Sequence, residues 1–562
     1  MPSLNFKFVV YLCVFLFFFK ESFTQTAANF PRGRIEKCQF KESKIFPGTI
    51  RDITIYIPQQ IDPSVPSCVY IQQDGINSNT AAVLDSLIDL HQIPVMVGIF
   101  VGSGYIPDGQ NHDIRPNRSY EYDGLGDKYA RFLLEEILPF VTNKYNLNLS
   151  NKANDRAIGG GSSGGIAAFN AAWERPDAFS RVYSNSGSFV AFRGGHEFPV
   201  LVRKTEAKPI RAYFTTGTND MENAAGDWTL IDQEMDKALK FAGYDYKFKV
   251  IEGRHIAGYR DQFAEPMLFI WKGWPEQVKA GPSAPRVQDI LLPGEGWQLA
   301  SQDFVGLSPA VNSNGEVYFI DIKDNRICKI KTDGQVIVFL KNSKFGSGLS
   351  FGSNGNLYSV SEKTGKVISI DSTGKERIYA TGIYGRYILA KPDSSFYITE
   401  PRTGRVWLLK NSKKSVVDSG LRFPTGLAIS PDRWLLAVAE RQSHWVYSYT
   451  IDFDGKLINK ENLFWLHVPD SKENSQAEPV CYDKEGHLYV GTNYGIQVCA
   501  WDGATQVILP LPNKEAVKGI CIGGVNFDTL FVFCEDKIYK RKIKNHGIGA
   551  FSPWTKMTRS KL

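Results

Sequence analysis

Residues 159–165 read Gly-Gly-Gly-Ser-Ser-Gly-Gly, between a short strand-like run, Arg156-Ala157-Ile158, and a helix-like run from Ile166 to Trp173. A serine held on a strained turn between a strand and a helix is a nucleophile elbow. Its G-x-S-x-G pattern follows from the turn, because side chains flanking the serine would collide with it. Both Ser162 and Ser163 fit the pattern. The chemistry this predicts is attack by a hydroxyl on an acyl carbon.

A hydroxyl is a weak nucleophile until a base takes its proton, and an acid must orient that base. In α/β-hydrolases the three appear in the chain order Ser, Asp or Glu, His. His196 follows Gly194-Gly195, whereas His255 follows the apolar run Phe248–Ile251 in Glu252-Gly253-Arg254-His255. The loop leaving the last strand is where the fold needs its base, which favours His255. The acid should leave the preceding strand, which ends in Thr215-Thr216-Gly217-Thr218-Asn219-Asp220. Asp220 is the candidate, with Glu222 and Asp227 as rivals. Asp227 also suits a helix cap, since it precedes Trp228 and a helical pattern. An oxyanion needs two backbone N–H donors, one from the residue after the nucleophile and one from an earlier strand-end loop. Gln73-Asp74-Gly75-Ile76 follows the strand-like run Cys68–Ile71, so Gly75 and Ile76 are candidates for the second.

These residues need a sheet to position them. From about residue 33 to 275 strand-like and helix-like runs alternate, as a mostly parallel α/β fold requires. Ile53–Ile57, Cys68–Ile71, Arg181–Tyr183, Arg211–Phe214 and Tyr246–Ile251 read as strands, and Val95–Phe100 as a buried parallel strand. Ala82–His91, Gly126–Val141 and Trp228–Phe241 read as helices. Residues 276–294 carry Pro282, Pro285, Pro293 and several glycines, a linker composition.

Beyond the linker the rhythm changes. A turn followed by apolar or aromatic residues recurs six times: Asn314–Tyr318, Asn354–Tyr358, Asp393–Tyr397, Asp432–Leu436, Glu485–Tyr489 and Phe527–Phe531. The last residues of successive copies lie 40, 39, 39, 53 and 42 apart. A period near forty made of short strands is that of β-propeller blades. The predicted architecture is multidomain: an α/β-hydrolase domain at 33–275, then a six-bladed β-propeller at 295–545.

The N-terminus has Lys7, an apolar run Phe8–Phe19, and a polar stretch from Lys20 to Ala28. That layout predicts a signal peptide over about residues 1–25, and so a secreted or periplasmic protein. The apolar run is short of the roughly twenty residues a spanning helix needs, and no later run approaches that length. The mature chain is therefore expected to need no membrane. The net charge of the full chain is +6, with no run of five basic residues, which disfavours nucleic acid as a partner. Outside the expected signal segment, which holds Cys13, the seven cysteines Cys38, Cys68, Cys328, Cys481, Cys499, Cys521 and Cys534 are sparse and odd in number, giving neither a disulfide framework nor a zinc site. No cofactor is called for.

The first half resembles the esterase family that includes enterochelin esterases and bacterial feruloyl esterases. The resemblance rests on Gly160–Gly165, Arg175-Pro176-Asp177-Ala178-Phe179, Ser184-Asn185-Ser186-Gly187-Ser188-Phe189 and Gly217-Thr218-Asn219-Asp220. In that family the nucleophile is followed by one residue and then Gly-Gly. This implies Ser162 as the nucleophile, Ser163 N–H as an oxyanion donor and Asp220 as the acid. The sequence after the base, His255-Ile256-Ala257-Gly258-Tyr259-Arg260, departs from the family's His-Asn-Gly-Lys-His-Gly. The second half is similar to the gluconolactonase and senescence-marker family, whose catalytic members hold a divalent metal at the propeller mouth. Carried over by position, its ligand set falls on Leu307, Thr425, Glu478, Arg386 and Tyr387. Only Glu478 keeps a carboxylate, so no metal is expected.

The function implied is a secreted serine esterase acting on a small-molecule or carbohydrate ester through Ser162, Asp220 and His255, with a non-catalytic propeller. Two alternatives are a glycan-binding scaffold without activity and a bifunctional esterase-lactonase.

Overall fold

A computed structural model describes residues 30–556 apart from 111, 342, 344, 345, 470, 471, 513, 514, 550 and 551. The expected signal segment lies outside the described residues.

The first half is built on one eight-stranded sheet. Its strands are β1 (Arg34–Phe40), β2 (Arg51–Ile57), β3 (Cys68–Gln73), β4 (Met96–Val101), β5 (Arg156–Gly161), β6 (Arg181–Asn185), β7 (Arg211–Gly217) and β8 (Asp245–Ile251). They lie in the order β1-β2-β4-β3-β5-β6-β7-β8. β1 and β2 are antiparallel to their neighbours, and every pairing from β4 to β8 is parallel. The parallel strands β3 to β6 are buried along their whole length, and β4 accordingly reads as a near-continuous apolar run. Helices cover both faces. The helical run expected at 126–141 occupies Lys128–Tyr145 and contains a π-helical stretch at Phe132–Ile137. The elbow helix Ser163–Glu174 is buried at every position but its last. Its alanines and glycines let it lie close beneath the sheet.

The second half is six four-stranded antiparallel sheets, a six-bladed β-propeller. Each of the six recurring turns delivers the second strand of a blade: Val317–Asp321, Leu357–Val360, Phe396–Glu400, Leu435–Glu440, Leu488–Thr492 and Thr529–Cys534. Gln298–Ser301 joins the last blade beside Lys537–Lys542, so the strand that enters the propeller closes the ring. The wide spacing before the fifth turn is taken up by the nine-residue strand Leu457–Trp465 and the segment leading to Val480.

Within 276–294, Pro285–Ile290 is a helix whose Val287 and Ile290 are buried. One continuous hydrophobic cluster includes Ala207, Leu239, Val287 and Ile290 together with Val498, Leu509, Leu511 and Ile543. Thr205 forms a parallel bridge with Ile508. Glu206 accepts two hydrogen bonds from the Arg541 guanidinium, both at 2.8 Å. Lys204 Nζ meets His467 Nε2 at 2.9 Å. The two halves thus share a packed interface. Among the described residues all seven cysteines are free, and no helix is long and apolar enough to cross a membrane.

Candidate active site

The site sits at the carboxyl ends of β5, β6, β7 and β8. Ser162 follows β5 with φ 58° and ψ −126°, a conformation that costs a non-glycine residue energy and is held by its surroundings. A Cβ at position 160 would lie 2.4 Å from the Gly164 carbonyl oxygen, so the turn closes only with glycine there. Ser163 is the first residue of the elbow helix. Its N–H therefore has no acceptor within that helix and is available at the turn.

Ser162 Oγ lies 2.9 Å from His255 Nε2, and His255 Nδ1 lies 2.5 Å from Asp220 Oδ1. Asp220 has a fully buried side chain, and that of His255 is a quarter exposed. Burial works to raise the Asp220 pKa. Hydrogen bonds from His255, Ser186 and the N–H groups of Met221 and Gly217 outweigh it and bring the pKa down to about 2. Asp232 lies behind, on the helix Trp228–Ala242. Burial, helped by the Asp220 charge, pushes its carboxyl well above the usual range.

The rival residues stand elsewhere. Asp227 caps the helix Trp228–Ala242, its side chain accepting from Leu230 N–H. Glu222 is exposed on a two-residue hairpin strand. His196 is half-exposed and faces Glu197 at 3.9 Å. Ser163 Oγ points away from the base and donates to Asp123 Oδ2 at 3.2 Å.

The loop after β3 lies against the start of the elbow helix. A Cβ on Gly164 would lie 3.0 Å from Gln73 Cβ and 3.1 Å from Asp74 Oδ2. Gly75 has φ 84°, and its carbonyl accepts from Gln72 Nε2 at 2.8 Å. Gly75 and Ile76 are thus on the loop that adjoins the elbow. Arg118 ties this loop down. It donates to both Asp74 carboxylate oxygens, at 2.9 and 2.8 Å, and to the Gly161 carbonyl at 3.2 Å. This pairing was not legible in the sequence, since 44 residues separate the two. Trp228 packs edge-on to His255 with ring centroids 5.9 Å apart, and Phe192 packs on Trp228 at 5.5 Å. These two rings wall one side of the site.

The propeller positions suggested for a metal do not fit one. Arg386 binds Glu478 through Nε at 2.8 Å and through its NH2 group, and reaches Glu362 at 3.3 Å. Thr425 is fully buried and donates to the Ala477 carbonyl at 2.9 Å. Leu307 packs with a hydrophobic cluster. Tyr387 is held neutral, burial raising its pKa well above the usual value. Among the described residues no group of three or more His, Cys, Asp and Glu is arranged to hold a metal ion.

Comparison with known proteins agrees with this division. Residues 44–268 match the family model described as Putative esterase. Residues 306–534 match that of the SMP-30/Gluconolactonase/LRE-like region. A gluconolactonase of Zymomonas mobilis subsp. mobilis is 23% identical over 311 residues, covering 48% of this chain and 86% of the relative. The pentonolactonase XacC of Haloferax volcanii is 22% identical over 234 residues, covering 38% and 76%. Among solved structures, a gluconolactonase from Xanthomonas campestris has a TM-score of 0.42 and 17% identity, covering 46% of this chain and 93% of that one. A ferulic acid esterase has a TM-score of 0.33 and 17% identity, covering 43% and 98%. The chain therefore joins, from N- to C-terminus, an α/β-hydrolase-like region that matches the esterase family model and a six-bladed propeller that matches the gluconolactonase-like one.

Proposed function

We propose that this protein is an exported serine hydrolase that cleaves carboxylic esters of a small molecule or a carbohydrate, with a propeller that takes no part in the chemistry. The support is the unbroken hydrogen-bonded line Asp220–His255–Ser162, ending on a serine held at positive φ.

In this reading Ser162 Oγ attacks the ester carbonyl while its proton passes to His255 Nε2. Asp220 holds the imidazole by Nδ1 and stabilises it once protonated. The oxyanion faces the N–H of Ser163 and an N–H of the Gly75–Ile76 loop. The protonated base then delivers its proton to the departing alcohol. Water repeats the sequence on the acyl-serine and releases the acid. Export rests on the N-terminal layout of Lys7, the apolar run Phe8–Phe19 and the polar stretch after it.

The test is labelling by a fluorophosphonate probe, alongside hydrolysis of a panel of acetyl, feruloyl and simple aryl esters. The wild-type chain should be labelled and should turn over at least one ester class. Ser162→Ala should do neither. Absence of labelling in a folded wild-type chain would overturn the reading.

A further inference from the structure

The segment Ser184–Phe189 runs from the end of β6 past the nucleophile. We propose that its turn Ser186–Gly187–Ser188 sets the catalytic geometry from both ends: Ser186 positions the acid and the base's loop, and Ser188 donates a hydrogen bond to the nucleophilic oxygen. The inference rests on the ester-hydrolase reading above.

The backbone of this segment brackets the nucleophile. Ser162 N–H donates to the Asn185 carbonyl at 2.9 Å, and Ser188 N–H donates to the Ser162 carbonyl at 3.1 Å. A Cβ on Gly165 would come within 3.1 Å of Gly187 Cα, and a Cβ on Gly187 within 2.4 Å of the Phe189 ring. The elbow helix and the turn therefore approach closely where Gly165 faces Gly187.

Ser186 is fully buried and holds φ 45°, a left-handed conformation that costs a serine energy. Its hydroxyl carries one proton and can accept as well. The proton goes to Asp220 Oδ2 at 2.6 Å, and the oxygen accepts from Ile256 N–H at 3.0 Å. Ile256 is the residue after the base. One hydroxyl thus joins the acid to the loop that carries His255.

The direction of the Ser188 bond follows from its other partner. The Trp228 indole N–H is only a donor, and it reaches Ser188 Oγ at 3.2 Å. The Ser188 proton is then free to point at Ser162 Oγ, 3.3 Å away, and the Ser162 proton points at His255. The spacing is long for a resting hydroxyl pair. Such contacts tighten as charge develops. Oγ gains negative charge as it loses its proton to His255 on the way to the carbonyl carbon. It gains it again in deacylation, when the C–Oγ bond breaks, Oγ keeps the electron pair, and His255 returns a proton to it.

The experiment is steady-state hydrolysis of p-nitrophenyl acetate against pH, with fluorophosphonate inactivation rates and melting temperatures, on the full chain. Ser188→Ala should lower kcat by about 10–100-fold, with KM within about twofold and the shape of the pH profile kept. Trp228→Phe should lose less, because the Ser188 proton remains but its direction is no longer imposed. Ser186→Ala and Ser186→Gly should both lower kcat. Both should move the rising limb of the pH profile to lower pH, because a poorly held carboxylate supports a protonated imidazole less. Glycine tolerates φ 45°, so Ser186→Gly should melt higher than Ser186→Ala and be no faster. Normal kcat in Ser188→Ala, or activity restored along with stability in Ser186→Gly, would overturn the proposal. A folded wild-type chain that neither turns over nor is labelled removes the ester-hydrolase reading, and this proposal with it.

Discussion

The guanidinium of Arg386 lies against the carboxylate of Glu478, two residues that are 92 apart in the chain and meet at the mouth of the propeller. The Glu478 side chain is 3% exposed and that of Arg386 28%, so it is the carboxylate that is withdrawn from water. Burial opposes the Arg386 charge, but the carboxylates of Glu478 and Glu362 outweigh it and raise the pKa of the side chain. A cation supplied by the chain thus sits on the one carboxylate that a metal would need. Esterase activity should survive exhaustive chelation, and calcium or zinc should leave the melting temperature unchanged. Ser162→Ala should show no gluconolactone hydrolysis above buffer. Chelator-sensitive lactonase activity in that variant would refute the assignment. Arg386→Gln should cost about 3–5 kcal/mol of stability, since it leaves a buried carboxylate without its partner.

The two serines of the elbow should separate cleanly. Ser162→Ala removes the atom that His255 touches and should lower the rate by several powers of ten, because members of a triad act as a unit. Ser163→Ala removes only the bond to Asp123, costing about 1 kcal/mol of stability and leaving most activity. Rates in the reverse order would place the nucleophile at 163.

Asp220 should matter both to rate and to acid stability. Asp220→Asn should be severely impaired, because the amide disturbs the tautomer that presents Nε2 to Ser162. Asp227→Asn should be mild, since asparagine caps a helix about as well. The folded pKa of Asp220, about 2, lies below the usual carboxylate value of 3.8. Its contribution to stability is therefore fully present above about pH 4 and is lost as pH falls toward 2. The melting-temperature gap between wild type and Asp220→Asn should narrow over that range and be constant from pH 5 to 7. A gap that widens on acidification would contradict the sign.

Much of this was legible locally. The elbow, the apolar strands and the six turns each carry their signal within a few residues, where glycine placement and burial dictate sequence. The rival roles of Asp227 and Asp220 could be weighed from position alone, because a cap precedes its helix. What escaped were relationships between distant residues. Ser186 and Ser188 were visible only as part of a similar strand end, and nothing local says that their hydroxyls reach Asp220, Ile256 and Ser162. β1 went unread because its edge position leaves Arg34, Glu36 and Lys37 on an otherwise alternating strand. The helix at 128–145 outran its predicted end because its last turn, Thr142–Tyr145, is polar outside the core. The linker composition of 276–294 concealed a helix that packs between the halves.

The interface between the halves carries the last prediction. The Arg541 side chain is 2% exposed, donates to both oxygens of Glu206 and also donates to the Glu295 carbonyl at 2.6 Å. Charged hydrogen bonds of this kind contribute about 1.5–3 kcal/mol, and the shared cluster around Leu239 and Leu509 should couple the two halves into one unfolding transition. Arg541→Met keeps much of the side chain's bulk and removes its donors. It should lower the melting temperature or split the transition in two, with the propeller and the hydrolase half unfolding separately. Turnover at 25 °C should stay within about twofold of wild type, because none of these groups touches Ser162, His255 or Asp220. Calorimetry of the full chain and of the variant reads both outcomes. An unchanged single transition in Arg541→Met would show that the apolar cluster alone holds the halves together.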